Sequence, residues 1–182
     1  MKIRRVIVAL DPAPRHRALL EAAAEAAGRM EAELVGLFVE NQDLLHFAAL
    51  PFAREVGVAS ATRRPRDLES MERLLRALAK EAHEMLASIA GRAPVRWSFR
   101  VARGSPLVEL LAAAEDADLV IANVEEPVEL PPSLRLRIVR AGDLEALRAA
   151  LEEEGGGIVL CAGADEASVR RLLRQLAARE ES

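Results

Sequence analysis

Residues 118–134, DLVIANVEEPVELPPSL, set a buried strand directly against a loop that is hostile to phosphate. Leu119 to Ala122 is an unbroken apolar run, as expected of a strand covered on both faces of a parallel sheet. Asn123 ends it. In nucleotide-binding α/β proteins the turn after such a strand is glycine-rich, and its backbone N–H groups close around phosphate. Here Glu125, Glu126 and Glu129 stand among Pro127, Pro131 and Pro132, and no glycine follows until Gly142. Prolines remove donors and carboxylates repel phosphate, so this loop is poorly built for that task.

Outward from this stretch, short β runs alternate with amphipathic helices, the pattern of an α/β fold with a mainly parallel sheet. Strands are expected at Ile3–Leu10, Glu33–Val39, Val95–Val101, Asp118–Asn123, Leu134–Arg140 and Gly157–Ala162. Helices are expected at Arg15–Met30, Leu44–Leu50, Asp67–Ala90, from Ser105–Pro106, at Asp143–Glu153 and from Ala164. Val6, Ile7 and Val8 are consecutive apolar residues, which suits a central strand. Val95, Trp97, Phe99 and Val101 alternate with polar residues, as do Leu134, Leu136 and Ile138, which suits edge or half-exposed strands. The expected architecture is one three-layer α/β/α Rossmann-like domain over residues 1–182. Its sheet has five or six strands in the order 3-2-1-4-5 or an extension of it, with helices on both faces. Glu40–Arg66 is the largest segment without a periodic pattern, and connections of that length are functional or mobile.

Composition narrows the function classes. Net charge is −4, so general attraction to nucleic acid or an anionic membrane is not expected. Cys161 is the single cysteine, which excludes an intramolecular disulfide and argues against a cysteine metal cluster. The apolar run Val6–Leu10 is too short for a signal peptide and is stopped by Asp11 and Pro12, so a cytoplasmic protein is expected.

Three motifs give the chain a resemblance to the universal stress protein family. RVIVALDPAP (Arg5–Pro14) resembles the family's opening strand with its terminal Asp, here Asp11. VARGSPLVELL (Val101–Leu111) resembles the family's strand-to-helix junction, with Gly104 and Pro106 in place. AEDADLVIAN (Ala114–Asn123) resembles its fourth strand, with Asn123 where a glycine is common. The resemblance covers about residues 1–123 and implies a stress-response role. In ATP-binding members it further implies a G-x2-G-x9-G-[ST] segment after the fourth strand, which Val124–Gly142 lacks, and a closing apolar strand used in dimerisation. The chain instead ends in a helix and a polar tail, Ala177–Ser182, so the part from about residue 124 is expected to be remodelled.

The candidate ligand site lies at the carboxyl ends of the strands, where open α/β sheets bind ligands. It comprises Asp11, Val39, Gly104 and Ser105. The resemblance implies an adenosine contact for Asp11, while Asp11-Pro12 also reads as a plain turn. Gly104-Ser105-Pro106 reads as a tight turn, an N-cap hydroxyl and a proline at the first helical position, and equally as an anion site. A candidate partner surface comprises Arg63, Arg64 and Arg66 with Glu125 and Glu126, which also read as solvated charge. In Asp67–Ala90 the seam Leu68, Met71, Leu75, Leu78, Ala82, Met85 and Ile89 reads as a core face or as a helix interface. His16, His46 and His83 lack metal spacing, and no catalytic constellation is found. The expectation is a non-catalytic, regulatory protein-partner module that needs no cofactor and binds neither nucleic acid nor membrane. Exposed apolar surface left by a missing closing strand would favour a homodimer. The alternative is a binder of ATP, AMP or another small anion, using Asp11 and Gly104 without the usual phosphate loop.

Overall fold

The computed structural model describes residues 3–10, 17–41, 54–56, 63–65, 68–115, 117–122, 136–140, 157–161 and 166–180. The strands are β1 (Arg5–Ala9), β2 (Glu33–Asn41), β3 (Arg54–Val56), β4 (Arg63–Pro65), β5 (Arg96–Gly104), β6 (Leu119–Ala122), β7 (Leu136–Arg140) and β8 (Gly157–Cys161). The helices are α1 (Arg17–Arg29), α2 (Leu68–Ala90), α3 (Pro106–Ala114) and α4 (Glu166–Glu180). Six of these strands form one sheet in the order β5-β2-β1-β6-β8-β7, and every neighbouring pair is parallel. No described helix is long and apolar enough to cross a membrane.

Counted within the sheet the order is 3-2-1-4-6-5. The expected 3-2-1-4 block is present, but the strand beside the fourth is the last one, and β7 takes the edge. Side-chain pattern accounts for this. GIVLC in β8 is apolar throughout and tolerates neighbours on both sides, whereas LRIVR in β7 carries arginines that suit an edge. The other edge is β5, whose Arg96, Arg100 and Val101 are exposed while Trp97 and Phe99 are half-buried.

Two further expectations are corrected, and the seam of Asp67–Ala90 takes its core reading. Glu40–Arg66 contains an antiparallel pair, β3 with β4, joining Arg54 to Pro65 and Val56 to Arg63. Two three-residue strands of arginine, proline and valine carry too little periodicity to be read from sequence. Ala177 is no part of a polar tail, because α4 runs to Glu180 and Ala177 is fully buried with Val169 and Leu173. In α2 the buried face is Leu75, Ala79, Ala82, Leu86 and Ile89, with Leu78 and Met85 at its flanks. The long helix therefore covers its own sheet. The helices expected at Leu44–Leu50 and Asp143–Glu153 lie outside the described residues.

The core has two compartments, one on each sheet face. On one face Val6, Val8, Leu34, Phe38, Leu119 and Ile121 pack under α1, α2 and α4. On the other Ile7, Val35, Leu37, Val120 and Ala122 pack with Leu110 and Ala114 of α3. Alanines 22, 23, 24, 26 and 27 make almost the whole inner surface of α1, which lets it settle close to both the sheet and α4. Gly36, in the middle of β2, allows a second close approach. A Cβ there would lie 2.6 Å from Leu10 Cδ1 and 2.6 Å from Leu86 Cδ2, so the missing side chain is what admits Leu86 of α2. His83 closes the outer edge of this compartment, its ring edge-on to Phe99 at 5.0 Å and tilted against Trp97 at 6.0 Å. That gives His83 a packing role.

The amino ends of the strands are tied by carboxylates. Asp118 Oδ2 accepts the backbone N–H groups of Arg4 at 2.7 Å and Arg5 at 3.1 Å, which fixes β6 against β1. Glu33 accepts from Arg5 Nε at 3.2 Å and from Ser98 Oγ at 3.2 Å, which links β1, β2 and β5. Helix α1 stops in a Schellman turn, with Ala32 N–H bonded to Ala27 O at 2.9 Å and Glu31 N–H to Gly28 O at 3.2 Å. The left-handed residue in this turn is Glu31, with φ 53°, where glycine is the usual choice. Replacing Glu31 with Gly should remove that strain and stabilise the fold by about 0.5–1 kcal/mol, a rise of roughly 1–4 °C. Thermal unfolding by circular dichroism checks this, and a fall in melting temperature would contradict it.

Candidate functional site

The first and fourth strands of the sheet, β1 and β6, are neighbours, and the chain leaves them toward opposite edges. In a parallel α/β sheet this reversal opens a crevice at the carboxyl ends of the two strands. Here the crevice has one raised wall. Ala9 of β1 pairs with Leu37, and β2 then continues through Phe38–Asn41 in register with Val101–Gly104 of β5. Four residues at the strand rise carry this two-stranded ribbon ~13 Å beyond the end of β1. Leu10 N–H bonds to Leu37 O at 2.8 Å and so extends the ladder by one step at the base of the wall.

The ribbon has two unlike faces. On one, Val39 and Ala102 continue the apolar compartment beneath α3. On the other, Glu40 and Arg103 sit opposite each other in register. Arg103 donates from Nε at 2.9 Å and from Nη2 at 2.8 Å, both to Glu40 Oε2. The Glu40 side chain is 9% exposed and that of Arg103 54%, so the guanidinium shields a nearly buried carboxylate from above. A carboxylate in that position needs a charged donor to offset its lost hydration. Sequence reading did not single out either residue. An acid closing the apolar run LVGLFV was a visible signal, of the same kind as Asp11, but its partner appears only through strand register.

At the top of the wall the chain turns into α3. Gly104 is buried, Ser105 occupies the N-cap position with extended backbone, and Pro106 starts the helix. The expected hydroxyl cap is absent: Ser105 makes no side-chain capping bond, and its carbonyl accepts Glu109 N–H at 3.0 Å. The side chain that covers this turn is Glu109. Its Oε1 lies 2.5 Å from where a Cβ on Gly104 would stand, so a side chain at 104 would push the carboxylate off the strand end. Negative charge in the first turn of a helix complements its dipole, which explains the arrangement without any ligand.

Of the expected site residues, the structure brings Val39, Gly104 and Ser105 to the ribbon end and adds Glu40, Arg103 and Glu109. Asp11 and Asn123 lie outside the described residues. So do Arg66, Glu125 and Glu126. Arg63 and Arg64 are in β4, paired with Val56 and Glu55 of β3. Among the described residues no group of three His, Cys, Asp or Glu side chains is placed to hold a metal ion.

No family model matches the chain, and no curated protein matches it. Among solved structures it is similar to a universal stress protein crystallised in complex with cAMP, with 14% identity, a TM-score of 0.45, and coverage of 88% of this chain and 97% of the other. It is also similar to a hypothetical protein, PH0823, with 14% identity, a TM-score of 0.48, and coverage of 87% and 94%.

The Glu40–Arg103 pair generates a direct test of how the wall is held. Arg103→Gln should cost about 1–2 kcal/mol, because the nearly buried carboxylate keeps its desolvation penalty and loses its charged donors. Glu40→Gln together with Arg103→Gln should recover part of that loss. Urea unfolding of the four species as a double-mutant cycle measures the coupling; additive effects would show that the two groups do not depend on each other.

Proposed function

We propose that the chain is a non-catalytic, cytoplasmic α/β module that acts by holding a protein partner, and that its strand-end crevice does not take ATP as the ATP-binding universal stress proteins do. One observation carries this reading: the Glu109 carboxylate folded over Gly104 at the described strand-to-helix turn. A phosphate seated at this helix start would meet a carboxylate where free N–H groups are needed. At about 4 Å two like unit charges repel by about 1 kcal/mol in water and about 4 kcal/mol near a protein surface. Pro106 removes one of the helix's free donors. The acidic, proline-rich sequence after β6 weighs in the same direction. Surface on the same wall supports a partner role. Leu107 and Val108 are 40% and 60% exposed side by side in the first turn of α3. Exposed apolar residues grouped in this way mark contact surface more often than scattered ones do. A regulatory or stress-response role, and self-association as a homodimer, belong to the same proposal.

The test is calorimetric titration of nucleotide-stripped protein with ATP, AMP and cAMP at near-physiological salt. No measurable heat is expected from any of them. Micromolar binding that Asp11→Ala weakens several-fold would overturn the reading and assign the crevice to a nucleotide.

A further inference from the structure

The outer face of α4 differs from every other described helix surface in how its charge is held. On α1, Arg17 and Arg29 each reach a carboxylate four residues away, and on α2 so do Arg73, Arg76 and Lys80. On α4, Arg171 and Arg174 have no ion-pair or hydrogen-bond partner among the described residues. The sequence offers neither of them a carboxylate at helical spacing. Arg171 has Ala167 and Gln175 at four residues on either side, and Arg174 has Arg170 and Ala178. Arg170 and Arg174 stand one turn apart, a like-charge spacing that works against the helix. The three guanidinium groups border a shallow groove of ≈ 430 Å³ completed by Ala167, Gln175 and Ala178. A chain of net charge −4 thus sets Arg171 and Arg174 on one turn of helix with no carboxylate at helical spacing.

We infer that this face docks an acidic segment of another protein, one that presents two or three carboxylates at a helical or extended spacing. The inference rests on the partner-binding reading for the class of ligand and uses a surface separate from the strand ends. Arginines three and four residues apart share one helix face, their Cβ atoms about 5–6 Å apart, and each guanidinium can take up a carboxylate as a forked pair of N–H···O bonds. Two other anionic partners fit less well. A membrane-surface helix needs a free apolar face, and in α4 that face (Val169, Leu173 and Ala177) is fully buried in the core. Single-stranded nucleic acid is held largely by stacking on aromatic rings, and α4 contains none.

The experiment is fluorescence anisotropy of a labelled decaglutamate peptide with the full chain, at low and at physiological salt. The wild-type chain should bind, and more weakly as salt rises. Arg171→Gln with Arg174→Gln should weaken binding by about tenfold, two exposed charge-assisted contacts being lost. The control is Arg73→Gln with Arg76→Gln, which changes net charge equally but removes cations already paired within α2; it should change binding less than about twofold. Both pairs are exposed, and unchanged melting temperatures confirm the fold. No binding by the wild type, equal losses from the two pairs, or tighter binding to phosphatidylserine vesicles or an oligonucleotide would each overturn the inference. Nucleotide calorimetry reads the strand ends alone, so a failure there and a failure here are distinguishable.

Discussion

Everything in this fold hangs on the burial of β1 from both sides. Val6, Ile7 and Val8 are 1%, 0% and 2% exposed, with Val6 and Val8 under one helical layer and Ile7 under the other. Peptide groups so placed have no access to water and must be satisfied by neighbouring strands. Parallel ladders to β2 and β6 do this, and both need crossover connections long enough to carry helices. The two helical layers, the two core compartments and the reversal between β1 and β6 all follow from that requirement. Alanine along the inner face of α1 and glycine at position 36 then set how closely the layers approach.

Polar contacts divide the sheet into a fastened end and a working end. At the amino ends, Asp118 and Glu33 are spent on backbone N–H groups and on neighbouring strands, so little charge is left to meet a ligand. At the carboxyl ends the β2–β5 ribbon projects past its neighbours, carries a charged pair on one face and turns into a helix whose first turn is apolar outside. Glu109 stands where the dipole of α3 would draw an anion. Its carboxylate lies against Gly104 at the turn that leads into the helix. The arginines of α4 offer the opposite case, charge left open to the outside.

Much of this was legible from residue order. The unbroken runs at Val6–Val8 and Leu119–Ala122 read correctly as central strands, because burial on both faces leaves no room for polar alternation. Alternation around Trp97 and Phe99 marked β5 as an edge, and the arginines of LRIVR did the same for β7. The contrast between LRIVR and the uniformly apolar GIVLC also held the information that β8 lies inside β7, though sequence reading left their positions open. Other features were not recoverable in principle. Glu40 and Arg103 are 63 residues apart and meet only through the register of two strands. Ser105 has the propensity of a cap, yet which side chain covers a turn is decided by rotamers, and there Glu109 has the reach. The β3–β4 pair has only three residues a side, too short to show any period.

The interior position of β8 has a consequence for how the chain is made. Synthesis runs from the amino end, so β6 and β7 both emerge before the strand that joins them. β7 pairs with β8 alone. Until residues 157–161 are released, β7 has no neighbour in its own sheet, and β6 offers an open edge beside it. Two unpaired edges on a nascent chain are templates for other chains. Arginine at 137 and 140 puts charge on that strand, and charge on an edge strand disfavours pairing with other chains. Closing the sheet requires β8 to enter between two strands and to register with both at once, so the sheet is completed by a strand that follows both of its neighbours in the chain.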